Sequence, residues 1–263
     1  MKIGIIGAGN MGGAIARGLA SSNIINATDI TVCSPNNHKE LDALTAFNPA
    51  INVSTDNAKA IYHTDLILVA VKPWLLDSVL EPLIPKIDYK KQAIISIVAG
   101  FTLDHLALLA KDYTNSPVVF RLIPNTAIAV RQSMTFIAAK NATQAQIDAV
   151  KKIFDTLGKS MIVEERLMSG GTALASCGIA YVMRYIRAAS EGGVELGFYA
   201  NQSKEIIMQT MLGAVELLEA TGNNPEVEID KVTTPGGITI KGLNAMEANG
   251  FTTAVIEGLK ASK

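Results

Sequence analysis

Two stretches of this chain combine residue types and spacings that could do chemistry, one near each end. The first is Gly7-Ala8-Gly9-Asn10-Met11-Gly12, a GxGxxG run placed directly after a short apolar segment and at the opening of a helical pattern. In that context each glycine has its own task. Gly7 permits a tight turn, Gly9 lets backbone approach a pyrophosphate, and Gly12 lets a helix lie close on a sheet. The helix that starts there turns unpaired N–H groups and a partial positive charge towards an anion. The expected chemistry is capture of a dinucleotide by its phosphates, and the competing reading is a merely tight structural turn.

The second stretch is Thr233-Thr234-Pro235-Gly236-Gly237-Ile238-Thr239, which sets hydroxyls and two glycines before a helical pattern at 240–248. The N–H groups of Gly236, Gly237 and Ile238, with Thr234 beside them, can cradle a carboxylate without any cationic side chain. Thr239 would offer the bound molecule a hydroxyl that can donate or accept. Read alone, such a segment is more often a Pro-Gly turn and helix cap.

Three further segments each follow an apolar strand: Ala70-Val71-Lys72-Pro73, Val98-Ala99-Gly100 and Pro124-Asn125-Thr126. Open α/β sheets bind ligands at that carboxyl edge. Ala99 and Gly100 are small enough for a nicotinamide to lie against backbone, and Asn125 could hydrogen-bond its carboxamide or the substrate. For Lys72 a solvated strand end, and for Asn125 a turn former, remain open readings. About 20 residues beyond the glycines an acidic side chain would hold a free ribose 2'-hydroxyl. The chain instead reads Val32-Cys33-Ser34-Pro35-Asn36-Asn37-His38-Lys39. Ser34, Asn36, Asn37 and Lys39, joined by His38, could surround a 2'-phosphate, which favours NADP(H) over NAD(H), with a plain polar turn as the alternative.

These residues need a scaffold, and the periodicities supply one. Apolar runs at 2–7, 30–33, 66–71, 93–98, 118–123, 135–139 and 160–163 predict strands. Helical patterns at 11–22, 39–47, 103–110 and 144–157, with a short one beginning near Trp74, fall between them. Short apolar strands alternating with helices predict a parallel sheet covered on both faces. Beyond about residue 164 only helical patterns follow, at 179–196, 204–220, 242–248 and 252–260. The expectation is an α/β chain: an N-terminal Rossmann-type doubly wound sheet, a dinucleotide-binding domain at 1–164, followed by an all-α domain at 165–263 for substrate binding and dimerisation.

The bulk composition removes other classes. Its 23 basic and 24 acidic residues nearly cancel, so the electrostatic footprint of a nucleic-acid binder is missing. Cys33 and Cys177 are far apart and form no CxxC pair. Neither a disulfide framework nor a metal site is expected, and a reducing compartment fits. The N-terminus resembles a signal peptide only in Lys2 and a short apolar run that Gly4, Gly7 and Gly9 interrupt. No stretch reaches the roughly 20 apolar residues of a membrane span. A cytoplasmic protein with a small-molecule partner, binding neither nucleic acid nor membrane, is expected.

Taken together, GAGNMG at 7–12, AVKP at 70–73, SIVAGFT at 96–102, RLIPNTA at 121–127, Gln209-Thr210 and TTPGGITIKGLNAME at 233–247 resemble the pyrroline-5-carboxylate reductase family. Order and spacing match across essentially the whole chain, and the PGG-x-T segment is far more specific than the glycine turn. The resemblance implies NAD(P)H-dependent reduction of 1-pyrroline-5-carboxylate to L-proline, the last step of proline biosynthesis, by hydride transfer to the imine carbon. It implies NADPH as cofactor, with NADH possible. It further implies an intertwined homodimer built from the C-terminal helices, dimers that join into larger rings, and sites completed by the neighbouring subunit. By the same resemblance Asn57 lies near the adenosine end of the cofactor, a plain helix-start asparagine being the alternative. Amides of Gly236 to Ile238 then hold the substrate carboxylate, and the Thr239 hydroxyl contacts the ring nitrogen as the catalytic group. Alignment and electrostatics would carry the reaction rather than a strong side-chain acid. His38, His63 and His105 accordingly all lie in the N-terminal half.

One segment departs from the family. Where its pattern reads ALSGSGPAY, this chain has Ala173-Leu174-Ala175-Ser176-Cys177-Gly178-Ile179-Ala180-Tyr181. Loss of the proline predicts a helix that begins differently, and Ala175 and Cys177 replace two hydroxyls. Cys177 reads as a small buried residue, not a nucleophile. Two other functions compete. A β-hydroxyacid dehydrogenase shares the general plan but uses a lysine on the first long C-terminal helix, and residues 174–184 contain none. A non-catalytic NADP(H)-binding paralogue is the other.

Overall fold

The computed structural model describes residues 1–114 and 116–263. Its first part alternates strands and helices: β1 (Ile3–Ile6), α1 (Asn10–Ala20), β2 (Ile30–Cys33), α2 (His38–Phe47), β3 (Asn52–Ser54), β4 (Leu66–Val69), α3 (Leu76–Leu80), β5 (Ala93–Ser96), α4 (Leu103–Leu109), β6 (Val119–Ile123), β7 (Ser133–Lys140), α5 (Gln144–Phe154) and β8 (Gly158–Ile162). The strands form one sheet in the order β3-β2-β1-β4-β5-β6-β7-β8. Successive inward residues face opposite sides: Ile5 packs with Ile15, Val32 and Leu68, whereas Ile6 packs with Val69, Leu76 and Leu80. Both faces are therefore apolar and covered by helices, as a doubly wound sheet requires.

The winding starts at β1, runs outward through β2 and β3, then returns through β4 on the other side of β1. The carboxyl ends of β1, β2, β4, β5 and β6 thus share one edge, with the switch point between β1 and β4. Two expectations need correction. The sheet is not wholly parallel, because β7 runs antiparallel to β6. The connection 124–132 is too short for the crossover that a parallel partner needs. And β3 is an additional strand, whose exposed edge position removes the apolar run that would have announced it.

The chain divides into two compact units, Met1–Ser176 and Cys177–Lys263. This lies beyond the expected boundary near 164 for a packing reason. Helix α6 (Met168–Gly171) buries Met168 completely, and Gly171 lies so close to β7 that a Cβ there would come within 2.7 Å of the Phe136 ring. A π turn, Thr172–Cys177, follows and leads straight into α7 (Gly178–Glu195). The helix therefore does not restart at 179, since Cys177 already has right-handed helical geometry. Cys177, expected as a small buried residue, is half-buried.

The second unit continues with α8 (Ala200–Thr221), α9 (Pro225–Lys231), α10 (Ile238–Ala248) and α11 (Phe251–Lys260). Helix α9 was not expected, although Asn224 caps it and Pro225 occupies its first turn, a normal start signal. Helices α7 and α8 pack closely where the Ser203 hydroxyl donates to the Ser190 carbonyl at 2.8 Å. Yet Gly178 and Ser203 are the sole buried residues of this unit among those described. Ile206, Met208, Leu212, Val215, Phe251 and Val255 are all exposed. A helical layer with so much bare apolar surface needs a partner surface to bury it. Among the described residues no helix is long and apolar enough to cross a membrane.

Candidate active site

The glycine turn has the geometry its sequence predicts. Gly7 has φ +107°, and a Cβ on it would meet the Ala70 carbonyl oxygen at 2.7 Å, so neither the conformation nor the space suits another residue. A Cβ on Gly12 would run into the Gly7 carbonyl oxygen. Gly9 differs. It is the N-cap of α1 in extended geometry, with no side-chain cap and open space where a Cβ would lie. No acidic residue of α1 itself occupies its first turn, which leaves the amides there facing outward with the positive end of the dipole. Ala8 is buried, Gly9 and Asn10 are exposed, and Met11 is half-buried.

Around this turn the edge brings together the other predicted cofactor residues. Ser34 ends β2 nearly buried, while Asn36 is exposed. Asn37 caps α2 by accepting from the Glu40 N–H, and its amide donates to the Ala8 carbonyl, tying this loop to the glycine turn. Asn37 is thereby a structural tie, a role visible only once α2 lies beside α1. Ala70 and Val71 follow β4 half-buried, and Lys72 and Pro73 are exposed. Ala99 and Gly100 follow β5, both exposed, Gly100 with φ +87° and free space at its Cβ position.

Asn57 is not a helix cap. Asp56 performs that task by accepting from the Ala58 N–H at 2.9 Å, and the Asn57 Oδ1 is buried without a hydrogen-bond partner. A buried acceptor left open costs about 1–3 kcal/mol, so this oxygen calls for a donor from outside the chain. Asn125 is the reverse case. Its Oδ1 accepts from Ala127 N–H at 3.1 Å and its Nδ2 donates to the Ala175 carbonyl at 3.3 Å. At 9% exposure it has little capacity left for a ligand.

Sequence reasoning missed Glu165. Its Oε1 accepts from the Leu103 N–H at 2.7 Å and from Arg121 at 3.1 Å, fixing the start of α4 just after Gly100 and Phe101. Nothing local marks it, because both partners are remote in sequence. Likewise His105 Nε2 and Asp77 Oδ1, 2.8 Å apart, join α4 to α3, the helices that follow the two crevice loops. Burial pushes the Cys33 thiol up to about 11, leaving an inert group at the end of β2.

The Thr233–Thr239 segment forms its own cluster in the second unit. Gly237 N–H donates to the Thr234 carbonyl at 2.9 Å, and Gly236 has φ +72°. This is a type II turn with Pro235 and Gly236 in the positions that favour them. The turn ends at Gly237, the N-cap of α10, which again lacks a side-chain cap and an acidic first turn. Helix α10 therefore starts earlier than the predicted pattern, and its free amides include Ile238, 87% exposed, and Thr239. The N-termini of α1 and α10, one in each unit, are thus uncapped and built on glycine turns, a feature that α11 shares at Gly250.

Known proteins match both parts. Residues 165–263 fit the family described as pyrroline-5-carboxylate reductase dimerisation, and residues 2–100 that described as NADP oxidoreductase coenzyme F420-dependent. Pyrroline-5-carboxylate reductase 1 of Dictyostelium discoideum is 38% identical over 99% of this chain, which spans 48% of that longer protein. Pyrroline-5-carboxylate reductase 2 of the same organism is 34% identical over 99% of this chain and 90% of its own length. The crystal structure of Plasmodium falciparum pyrroline carboxylate reductase with NADP bound has a TM-score of 0.87 at 29% identity, covering 100% of this chain and 95% of that one.

Proposed function

The chain belongs to the pyrroline-5-carboxylate reductase family, and from that premise we propose which of its residues carry each part of the reaction. It is an oxidoreductase that reduces 1-pyrroline-5-carboxylate to L-proline with NAD(P)H, and it forms a homo-oligomer through its C-terminal domain.

The observation that carries the assignment is the uncapped N-termini of α1 and α10, each lying in one of the two sequence stretches that match the family. The first fits a dinucleotide: Gly9 leaves room for a pyrophosphate, α1 presents free amides, and the Asn57 oxygen is open to a donor. Gly7, Ala8, Gly9, Asn10, Met11 and Gly12 hold the phosphates. Ala70, Val71, Lys72 and Pro73 line the middle of the crevice, Ala99 and Gly100 its nicotinamide end, with Asn57 at the adenosine end. Ser34 and Asn36 meet the 2'-phosphate, which makes NADPH the preferred cofactor. Asn125 supports this edge from within. The second N-terminus holds the substrate: the Gly236 and Ile238 amides bind its carboxylate beside Thr234, while Gly237, whose N–H closes the turn on the Thr234 carbonyl, shapes the cradle instead of donating to the substrate as the sequence suggested.

When bound, the reduced nicotinamide supplies the hydride that adds to the imine carbon. The electrophile reacts best with its nitrogen protonated, and that N–H donates to the Thr239 hydroxyl oxygen, which keeps the proton and the ring in place. The contribution of the chain is alignment in a fixed electrostatic setting. Helix α7 carries Arg184 and Arg187 but no lysine, which argues against the acid and base needed to oxidise a hydroxyl substrate.

Residues 1–164 form the dinucleotide-binding domain, and residues 165–263 carry the substrate cradle and the dimerisation helices. Dimers join into larger rings, and the protein works in the cytoplasm. The decisive experiment follows NADPH absorbance with pyrroline-5-carboxylate and the Thr239→Ala variant. A hydrogen bond to a charged group is worth about 1.5–3 kcal/mol, so turnover should fall roughly 10- to 100-fold while NADPH affinity is unchanged. Equal loss of both, or NADPH binding without turnover in the unaltered protein, overturns the assignment.

A further inference from the structure

Asn125, which could bond the nicotinamide carboxamide, the substrate or its own turn, is largely taken up within the chain. Asn125 spends its oxygen on Ala127 and one amide hydrogen on the Ala175 carbonyl. That carbonyl lies inside the π turn Thr172–Cys177, a form of helix that is rare and concentrated at functional sites. The next residue, Ser176, is half-buried, and its hydroxyl makes no hydrogen bond among the described residues.

Other shielded hydroxyls in the helices around it are bonded: half-buried Thr172 and Ser190 return theirs to the carbonyl four residues earlier, and buried Ser203 donates to the Ser190 carbonyl, the first two using the ordinary local partner. Thr172 opens the π turn and still reaches back to the preceding α-helical turn, whereas Ser176 lies near its end, where the ladder runs to the fifth residue, and makes no such bond. Its position is nevertheless fixed, because Ala175 is held by Asn125 directly after β6. Strand β6 neighbours β5, and β5 leads into Ala99 and Gly100 with open space beside them. A free hydroxyl therefore stands at the same sheet edge as the small residues suited to a nicotinamide ring.

We propose that Ser176 contacts the cofactor in place of Asn125: its hydroxyl oxygen accepts from the carboxamide NH2 of the nicotinamide, while Asn125 is a positioning residue that holds the Ala175 carbonyl and with it Ser176. The inference rests on the dinucleotide reading of this edge. It also gives a chemical role to the departing segment Ala173 to Tyr181, which lacks hydroxyls at 175 and 177 but carries one at 176.

The test compares oxidised NADP with its 3-acetylpyridine analogue, in which a methyl group replaces the carboxamide NH2 and the donor is lost. Dissociation constants are measured by calorimetry on the full chain and on Ser176→Ala and Ser176→Thr. The unaltered protein should prefer NADP by about fivefold, the equilibrium worth of one neutral hydrogen bond. Ser176→Ala should weaken NADP by the same factor and leave the analogue unchanged, so that discrimination disappears, and Ser176→Thr should restore it. Discrimination that survives in Ser176→Ala, or equal weakening of both cofactors, overturns the proposal. An unaltered protein that binds neither cofactor would instead sink the dinucleotide reading itself.

Discussion

Gly7 and Gly9 stand two residues apart in one turn, yet a methyl group on each should have opposite consequences. At Gly7 an added Cβ would lie 2.7 Å from the Ala70 carbonyl oxygen, 2.8 Å from its carbon and 3.1 Å from the Val71 nitrogen, all of them backbone atoms. That backbone is pinned, since Ala70 N–H donates to the Ile6 carbonyl at 2.8 Å. The φ of +107° adds strain for any side chain. Strain of about 1–3 kcal/mol and overpacking of about 1–3 kcal/mol sum to roughly 2–6 kcal/mol. At about 2–4 °C per kcal/mol for a unit of this size, Gly7→Ala should lower Tm by roughly 5–20 °C. Gly9 has φ −87° and ψ −171°, which any residue adopts, and open space around its Cβ position. A gain of about 0.4–1 kcal/mol from a stiffer unfolded chain roughly offsets the weaker capping of alanine, so Tm should stay within about 2 °C. The methyl group would instead occupy the space assigned to the pyrophosphate, and NADPH affinity should fall at least about tenfold. Thermal melts and a NADPH fluorescence titration read the two effects separately. A Gly9→Ala variant that binds NADPH normally refutes the assignment of that space, and one that melts like Gly7→Ala refutes the steric argument.

Other expectations follow from single groups. Because burial holds the Cys33 thiol at about 11, it should escape alkylation in the folded protein near about pH 8 and react only after unfolding. Peptide mapping checks this, and native labelling of Cys33 contradicts it. Burial alone would raise the Asp155 carboxyl, but bonds from Lys151 and from the Ser160 hydroxyl and N–H hold it below the usual carboxylate value. A depressed folded pKa stabilises above the unfolded value of about 4 and ceases to do so as pH falls through the folded one. Asp155→Asn should therefore lower Tm at neutral pH, with a gap that closes in acid; a gap independent of pH refutes the linkage. Leu212, 53% exposed on α8, should be covered in the homo-oligomer. Leu212→Glu would then shift sedimentation to smaller species, whereas a truly solvent-facing position would tolerate it within about 0.5 kcal/mol.

The parts of the fold that were legible are those whose signal is local. β1, β2, β4, β5 and β6 are apolar runs long enough to stand out, and the glycine turn follows the first of them. β3 is polar and exposed, so burial leaves no trace in its sequence. The direction of β7 depends on the length of the loop before it, not on its own residues, whose apolar pattern suits either direction. Site residues obey the same division. Gly7, Gly12 and Gly236 are readable because a backbone conformation or a close approach selects glycine at the position itself. From the sequence Asn125 belongs to this edge with a turn-forming role left open, and its bond to Ala127 is of that kind, whereas Ala175 reaches it only through the fold. Glu165 went unnoticed because Leu103 and Arg121, which give it meaning, are distant in sequence.

The two halves of the reaction rest on units of unequal independence. Met1–Ser176 has two apolar layers of its own, one on each face of the sheet, and the dinucleotide edge is anchored in them. The Thr234–Thr239 cradle sits among helices whose apolar side chains are bare until another subunit covers them. An element with no core of its own is only as ordered as the partner that covers it, and the oligomer stabilises it by mass action. Cofactor binding and turnover should therefore separate when the oligomer is disrupted. In Leu212→Glu, or on progressive dilution of the unaltered enzyme, NADPH affinity should persist while specific activity with pyrroline-5-carboxylate collapses. Raising the protein concentration should restore it. Parallel loss of NADPH affinity would mean that the first unit also depends on assembly, and undiminished activity in a dispersed protein would mean that the second unit orders its cradle alone.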